Sequence, residues 1–332
     1  MKEEHYRDFS QKLVDWFAVH GRDYPWRRTT DPWAILVSEI MLQQTTIPTI
    51  LGRYESWMAQ FPTPQSLAAV DEQTALRSWE GLGYYRRVRS LRAAAIAICE
   101  QHGGIFPTDE TTIRSLPGIG DYTVGAILSF AYNRPAPLVD ANVSRVLARI
   151  FNNSTPIDSP AGRRYHWQLA AQLVHQTNPR AYNSALMELG QTICTTGTPT
   201  CLLCPVRNFC TATTPEKLPV KLPRKAISQS EHWDIWVLGP EGLLMEKQVG
   251  GKRHEGMFRL PRRSQDEVRG LPFLCDQKYS VTRYKVIRHL HLADNSTLPR
   301  PSEQFIPTQE LHSTPMASPD RKLVQQFLPA YS

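Results

Sequence analysis

The sequence predicts a mainly α protein, with a large all-helical domain followed by a small α+β one, and three observations carry that expectation. Apolar residues recur at helical spacing from residue 3 to about residue 193, with no convincing strand among them. Four of the chain's six cysteines then crowd into residues 194–210. Beyond them the texture changes to a Pro-rich, basic stretch and then to short segments of strand character. At 332 residues the chain has room for about two domains, each burying its own core. The expected organisation is a helical domain over 1–215, a linker over 216–230 and a second domain over 231–332.

Taken in order, residues 3–19 place Phe9, Leu13, Trp16 and Phe17 on one side of an amphipathic helix. "DPWAILVSEIMLQQTT" opens with Asp31 as N-cap and Pro32 at the first helical position, followed by a nearly all-apolar helix. Helical spacing returns at Val88, Leu91, Ala95 and Ile98, then in "YTVGAILSFAY", "ANVSRVLARIF", "HWQLAAQLVHQ" and "NSALMELGQTI". "TTPEKLPVKLPRKAISQS" reads as an extended linker. "HWDIWVLG", "GLLMEK" and "YKVIRHLHL" read as strands, and "SPDRKLVQQFL" as a closing helix with an apolar stripe at Leu323, Val324 and Phe327. In "YKVIRHLHL", alternation puts Tyr284, Val286, Leu290 and Leu292 on one face and Ile287, His289 and His291 on the other.

Composition narrows the function classes. A net charge of +7 and a pI of about 9.1 favour an anionic partner such as nucleic acid. No apolar run reaches the length of about eighteen residues that a membrane span needs, and the N-terminus lacks the basic-then-apolar order of a secretory signal. The expected setting is the cytoplasm, where thiols stay reduced and clustered cysteines bind metal.

Three groups of residues carry chemistry. Cys194, Cys201, Cys204 and Cys210 follow the spacing C-x6-C-x2-C-x5-C, four thiolates that can close around a tetrahedral zinc or a [4Fe-4S] cluster. Four ligands leave no open position, so either occupant is structural. Cys99 and Cys275 stand apart from this set. "SLPGIGDYTVGAIL" sets Gly118 and Gly120 in a tight turn before a helix, where exposed backbone N–H groups suit a DNA phosphate. The third group is a pair of carboxylates. Asp140, in "PLVDANVSRVLAR", ends an apolar run as an N-cap, which favours its ionised form. Glu39, in "WAILVSEIMLQ", has apolar neighbours on nearly every side, and such burial raises a carboxyl pKa toward neutrality. Environments that push two pKa values apart assign acid and base roles.

"LPGIGDYTVGAIL", "VDANVSRVLAR" and the cysteine spacing together resemble the helix-hairpin-helix DNA glycosylase superfamily with its iron-sulfur loop. "SEIMLQQT", "GLGYYRRVRSL" and the C-terminal extension narrow the resemblance to the adenine DNA glycosylase family. It is close over residues 5–215 and loose beyond. The resemblance implies a [4Fe-4S] cluster rather than zinc, held as a clamp rather than a reaction centre, and excision of adenine mispaired with 8-oxoguanine or guanine in double-stranded DNA. It places the general acid at Glu39 and the nucleophile or cation-stabilising carboxylate at Asp140, with Asn142 positioning Asp140 and a water. Tyr122 stands where related enzymes that nick DNA carry a lysine, which implies a monofunctional enzyme that leaves an abasic site. Gln43, Gln44 and Tyr84 match wedge and base-contact positions, with Leu82 beside them, and Arg22 and Arg27 match arginines of the base pocket. "YYRRVR" is a basic-aromatic cluster suited to phosphate and stacking contacts. The second domain resembles a Nudix-like 8-oxoguanine reader without a Nudix box, and the whole implies a monomeric enzyme acting at a bacterial nucleoid.

The chain departs from the family at several positions. Ala141 replaces a glycine, and Ser184 replaces a glutamine or glutamate. "TTGTPT" lacks the basic residues that relatives place between the first two cysteines. Ile287, Arg288 and His289 stand where the family reads 8-oxoguanine with Phe-Ser-His, so Arg288 and His289 become the candidate reader residues. The alternatives are a thymine glycosylase for T·G mismatches and a lesion-binding protein without catalysis. "LQQT", "GLGYY" and the extra domain speak against the first, and the paired carboxylates against the second.

Overall fold

The computed structural model of the chain describes residues 3–223, 226–250, 254–281 and 283–331. They form two compact units, Met1–Ala68 with Ala93–Pro223, and Ala69–Arg92 with Arg224–Ser332. Residues 69–92, which the sequence suggests as part of the helical domain over 1–215, fall with the C-terminal unit.

The helices begin where the sequence signals them. α1 (Glu3–His20) buries Phe9 and Leu13 completely. A 3-10 turn at Pro25–Arg27 leads to α2 (Pro32–Leu42), whose N-cap Asp31 accepts from the Trp33 N–H at 3.0 Å. α2 buries nine of its eleven residues, as a helix apolar on all sides must. α3 (Ile47–Gln60) and α4 (Pro64–Ala68) follow. α5 (Glu72–Ser78) and the start of α6 (Arg86–His102) lie in residues 69–92. α7 (Glu110–Ser115) and α8 (Asp121–Ala126) flank the glycine turn, and α8 runs on into a π-helical turn at Ile127–Ala131. α9 (Ala141–Ile150), α10 (Pro160–Leu173) and α11 (Pro179–Thr192) are capped by Asp140, Ser159 and Asn178, each accepting from a backbone N–H of the first turn. Among the described residues no strand precedes Ser228.

The core of this unit joins α1, α9, α10 and α11 through Phe9, Leu13, Val146, Leu147, Leu173, Leu186 and Leu189. Each such side chain contributes about 1.5–3 kcal/mol on leaving water. Val206 and Phe209 of the cysteine loop join the same core, so the loop is anchored by apolar burial as well as by its thiols.

The other unit holds β1 (Ser228–Trp236), β2 (Leu238–Gly239), β3 (Gly242–Lys247), β4 (Phe258–Arg259), β5 (Arg262–Arg263), β6 (Phe273–Val281), β7 (Tyr284–Leu292), β8 (Glu303–Ile306) and α12 (Ser318–Tyr331). One sheet runs β5-β1-β7-β6, with β1 and β7 parallel, and a second runs β2-β3-β4, with β8 also paired to β3. β1 starts inside the stretch read from sequence as linker. β6 was not expected, because "FLCDQKYSV" alternates exposed and half-buried positions and carries Asp276, Gln277 and Lys278. Residues 69–92 are fixed to this unit by Arg321, whose guanidinium meets both Glu80 oxygens at 2.7 and 2.9 Å, and by the Tyr85 hydroxyl donating to the Met316 carbonyl at 3.3 Å.

The burial pattern of β7 follows the alternation that the sequence suggests, and it removes one candidate. Arg288 shares the inner face with Val286 and Leu290 and is 2% exposed. Its Nε donates to Asp234 at 2.6 Å and its Nη2 to Asp320 at 2.9 Å. Arg288 thus ties the sheet to α12 and does not present a hydrogen-bonding edge to a base.

Candidate active site

Glu39 is the one charged residue of α2 and is 4% exposed. Its Oε2 accepts from the Tyr122 hydroxyl at 2.8 Å. Burial pushes its pKa up to about 7; the Tyr122 bond pulls downward, the negative charge of Asp140 pushes further up, and Arg27 opposes. The raised carboxyl expected from the apolar context of "WAILVSEIMLQ" is therefore present, and the same burial carries the Tyr122 phenol well above its ordinary value.

Asp140 caps α9, with Oδ1 accepting from the Val143 N–H at 2.7 Å and Oδ2 from Asn142 Nδ2 at 3.0 Å. The expectation that capping alone holds Asp140 low needs correction. Burial raises its pKa and outweighs the bonds from Val143 and Asn142. Two buried carboxylates that repel each other do not both ionise easily. Asp140 has two donors in place and Glu39 has one, so the proton rests on Glu39. Asn142 is itself fixed, its Oδ1 accepting from Arg145 Nη2 at 3.0 Å, while Arg145 donates to the carbonyls of Gly190 at 2.6 Å and Cys194 at 2.9 Å.

Two glycines allow these groups to meet. Gly118 has φ 76°, a conformation that side chains resist, and it turns the chain into α8. A Cβ on Gly125 would collide with the Pro137 carbonyl oxygen, so only glycine lets α8 lie against the extended run that ends at Asp140.

One cavity of about 960 Å³ is lined by Glu39, Tyr122, Asp140 and Asn142, and also by Gln43, Gln44, Gly118, Gly120, Arg22, Arg27, Ala141 and Ser184. Every site residue nominated from the helical part of the sequence, outside residues 69–92 and the cysteines, lines it. Gln44 adopts a left-handed φ of 58°, a strained conformation for a side-chain-bearing residue.

The sequence did not single out Glu188, the only acidic residue of α11, which is fully buried beside the cavity-lining Met187 in the chain. Its Oε2 accepts from Arg27 Nη1 at 2.8 Å and its Oε1 lies 3.3 Å from Arg22 Nε. A carboxylate set between Met187 and Leu189, on the apolar stretch Ala185–Leu189 of the helix, was the available signal. Arg180, at the other end of α11, donates to the carbonyls of Arg27 at 2.8 Å and Thr29 at 2.6 Å.

In the other unit Tyr84 is 47% exposed and has φ 47°, the second strained candidate. Leu82, expected beside the wedge positions, is buried at 6% exposed. Arg87 of the basic-aromatic cluster is also internal: it donates to the Leu82 carbonyl at 2.9 Å, sits over the Trp79 and Tyr84 rings, and burial lowers its pKa to about 10. His289 stacks on Trp233 at 5.5 Å, with Nδ1 2.7 Å from Asp276.

Cys194, Cys201, Cys204 and Cys210 line a cavity of about 270 Å³ together with Arg149. Burial pushes the Cys204 thiol up to about 11. Arg149, 1% exposed, lies 3.4 Å from the Cys194 sulfur and donates to the carbonyls of Thr195, Gly197 and Pro215 at 2.7–2.9 Å. No three His, Cys, Asp or Glu side chains among the described residues converge as a single metal ion requires.

A glycine hairpin and two buried carboxylates facing one cavity of a helical body define a class. Residues 37–170 match the family described as HhH-GPD superfamily base excision DNA repair protein. Among solved structures, a thermostable thymine-DNA glycosylase superposes with a TM-score of 0.58 at 28% identity, over 63% of this chain and 96% of that one. The chain is 31% identical to the adenine DNA glycosylase of Buchnera aphidicola over 82% of its own length and 79% of that protein's. It belongs to the adenine DNA glycosylase family. It is also 41% identical to the human adenine DNA glycosylase over 61% of this chain, a match that spans 39% of the human protein. No helix among the described residues is long and apolar enough to cross a membrane.

Proposed function

We propose that the protein is a monofunctional DNA glycosylase that removes adenine paired with 8-oxoguanine or guanine in double-stranded DNA. The observation that carries this reading is the carboxylate pair. Glu39, with a pKa of about 7, holds a proton in the same cavity as the hydrogen-bonded Asp140. Adenine stacked in a duplex is out of reach, so it is first turned out of the helix into the cavity. Protonated Glu39 donates to the departing base, and Asp140, oriented by Asn142, stabilises or captures the sugar cation that forms at C1′. Tyr122 keeps Glu39 in place and offers no amine, so no Schiff base forms and the strand is left with an abasic site. The exposed amides around Gly118 and Gly120 take a phosphate, and Gln43 and Gln44 fill and flank the gap; Tyr84, exposed on the other unit, is a DNA contact. Departing adenine faces Arg22, Arg27 and Ser184 in the cavity wall.

The four cysteines fit a [4Fe-4S] cluster, since all four thiols line one cavity and the Arg149 guanidinium offsets thiolate charge. When bound, the cluster would brace the loop and supply no step of the reaction. We assign the second unit, as a Nudix-like fold, to reading the opposite base, with His289 on the solvent side of β7, and the enzyme as a monomer acting on cytoplasmic DNA.

The test uses duplexes carrying A·8-oxoG, A·G or T·G, with alkali to reveal abasic sites on a gel. Cleavage at adenine and none without alkali supports the reading. Cleavage confined to thymine of T·G would replace it with a thymine glycosylase, and binding with no cleavage at all with a lesion-binding protein. A brown protein with broad visible absorbance is expected, and a colourless zinc-loaded protein from anaerobic purification would overturn the cluster.

A further inference from the structure

Glu188 is buried behind the cavity, and both of its arginine partners line that cavity. It is a fully buried carboxylate that neither touches Glu39 nor caps a helix, and its charge is balanced by two arginines brought to it from the 22–27 segment. Arg27 Nη1 is shared between Glu188 Oε2 and the Arg22 carbonyl, both at 2.8 Å, and its guanidinium lies over the Phe17 and Tyr24 rings at 5.1 and 4.9 Å. α11 grips the same segment a second time, through Arg180 on the Arg27 and Thr29 carbonyls. One helix therefore holds both the main chain and the side chain of this turn.

The surroundings of Glu39 make that grip consequential. α8 turns Tyr122 toward it, the segment before α9 contributes Asp140, and the 3-10 turn contributes Arg27, the one cation among the described residues that acts on it. The π-helical turn packed on α2 has no titratable side chain. On α3, the Tyr54 hydroxyl donates to the Ala34 carbonyl, while Arg53 and Glu55 are exposed. Asp121 of α8 is exposed and paired with Arg114. A guanidinium released within about 4–6 Å of a carboxyl lowers its pKa by roughly one to three units, enough to strip Glu39 of its proton at neutral pH.

We propose that Glu188 is a positioning residue: by binding the Arg27 guanidinium to itself, it keeps that cation from pairing with Glu39 and so preserves the proton that Glu39 delivers to the departing base. The proposal deepens the glycosylase reading and rests on it for the role of Glu39. It assigns Glu188 and Glu39 opposite relations to one arginine, with Glu188 taking the ion pair and Glu39 denied it.

The experiment follows single-turnover excision from an A·8-oxoG duplex against pH for the wild type, Glu188→Gln and Arg27→Met. The wild type is expected to lose activity as pH rises through about 7, where Glu39 ionises. Glu188→Gln frees the cation and moves this alkaline limb to lower pH by roughly one unit. Arg27→Met removes the cation and moves the limb to higher pH. Ion pairing that serves only the fold slows both variants at every pH and moves neither limb, and that result overturns the proposal. Should Glu188→Gln not fold, the Arg27→Met limb still decides, since an unmoved limb there has the same force. The carboxyl carbon resonance of Glu39 in glutamate-labelled protein, assigned with Glu39→Gln, follows the same titration without DNA. A protein that excises no adenine, yet shows opposite shifts of this resonance in the two variants, separates failure of the glycosylase reading from failure of the proposal.

Discussion

Replacing Glu39 with glutamine should make the protein more stable, and by an amount that depends on pH. In the folded chain the carboxyl holds its proton up to about pH 7, against 4.5 in an ordinary setting, because burial removes the solvation that its charged form needs. A carboxyl whose pKa rises on folding contributes stability that is fully present below its unfolded pKa and is lost as pH climbs through the folded one. At 1.36 kcal/mol per pH unit, the interval from 4.5 to about 7 corresponds to roughly 3 kcal/mol. Glutamine fills the same space and still accepts the Tyr122 hydroxyl, but it has no charge to bury. Glu39→Gln and wild type should therefore unfold at the same urea concentration near about pH 4 and separate progressively above it. The variant should lead by up to about 3 kcal/mol at about pH 8, followed by far-ultraviolet circular dichroism. Superimposable curves across this range, or a variant less stable at alkaline pH, would refute the claim that Glu39 is desolvated. The gain in stability would come with loss of excision, the usual exchange at a strained or desolvated catalytic position.

Asp140→Asn should abolish adenine excision while gel-shift binding to the same duplex changes little, since asparagine also caps a helix; excision at the wild-type rate would remove Asp140 from its assigned role. Tyr122→Phe deletes the bond that favours ionised Glu39, so the alkaline limb of the rate profile should move upward by roughly one pH unit, and a downward movement would contradict the geometry. Gly125→Ala should lower stability by about 2 kcal/mol or more and reduce excision with it, because the added Cβ pushes α8 off the Pro137 carbonyl. An unchanged melting temperature would show that the two segments separate without cost.

Most of the helical unit was legible because its signals are local. Asp31 and Asp140 announce helix starts through residue type alone, and the apolar run around Glu39 announces burial without any knowledge of what buries it. Asp140 shows where local reasoning stops. The cap and the bonds it predicts are present, yet the sign of the shift is set by how much protein covers the carboxylate, which no short stretch encodes. Glu188 was missed for a related reason: its partners Arg22 and Arg27 lie more than 160 positions away in the chain. Arg288 could have been read correctly, since the alternation that buries Val286 and Leu290 also buries the residue between them. The assignment of residues 69–92 to the C-terminal unit depends on Glu80 meeting Arg321, a pairing with no periodicity to reveal it.

α9 links the catalytic carboxylate mechanically to the cysteine loop. Its first turn is capped by Asp140, and its last turn carries Arg149, whose guanidinium reaches three carbonyls around the cysteine loop. Ten residues of α-helix form a stiff rod of about 15 Å. Arg145, midway, clamps the rod to Gly190 and Cys194. Whatever loosens the loop, whether thiol oxidation or a lost ligand, therefore tugs on the far end of the rod, and the carboxylate drifts from its mark although nothing near it has reacted.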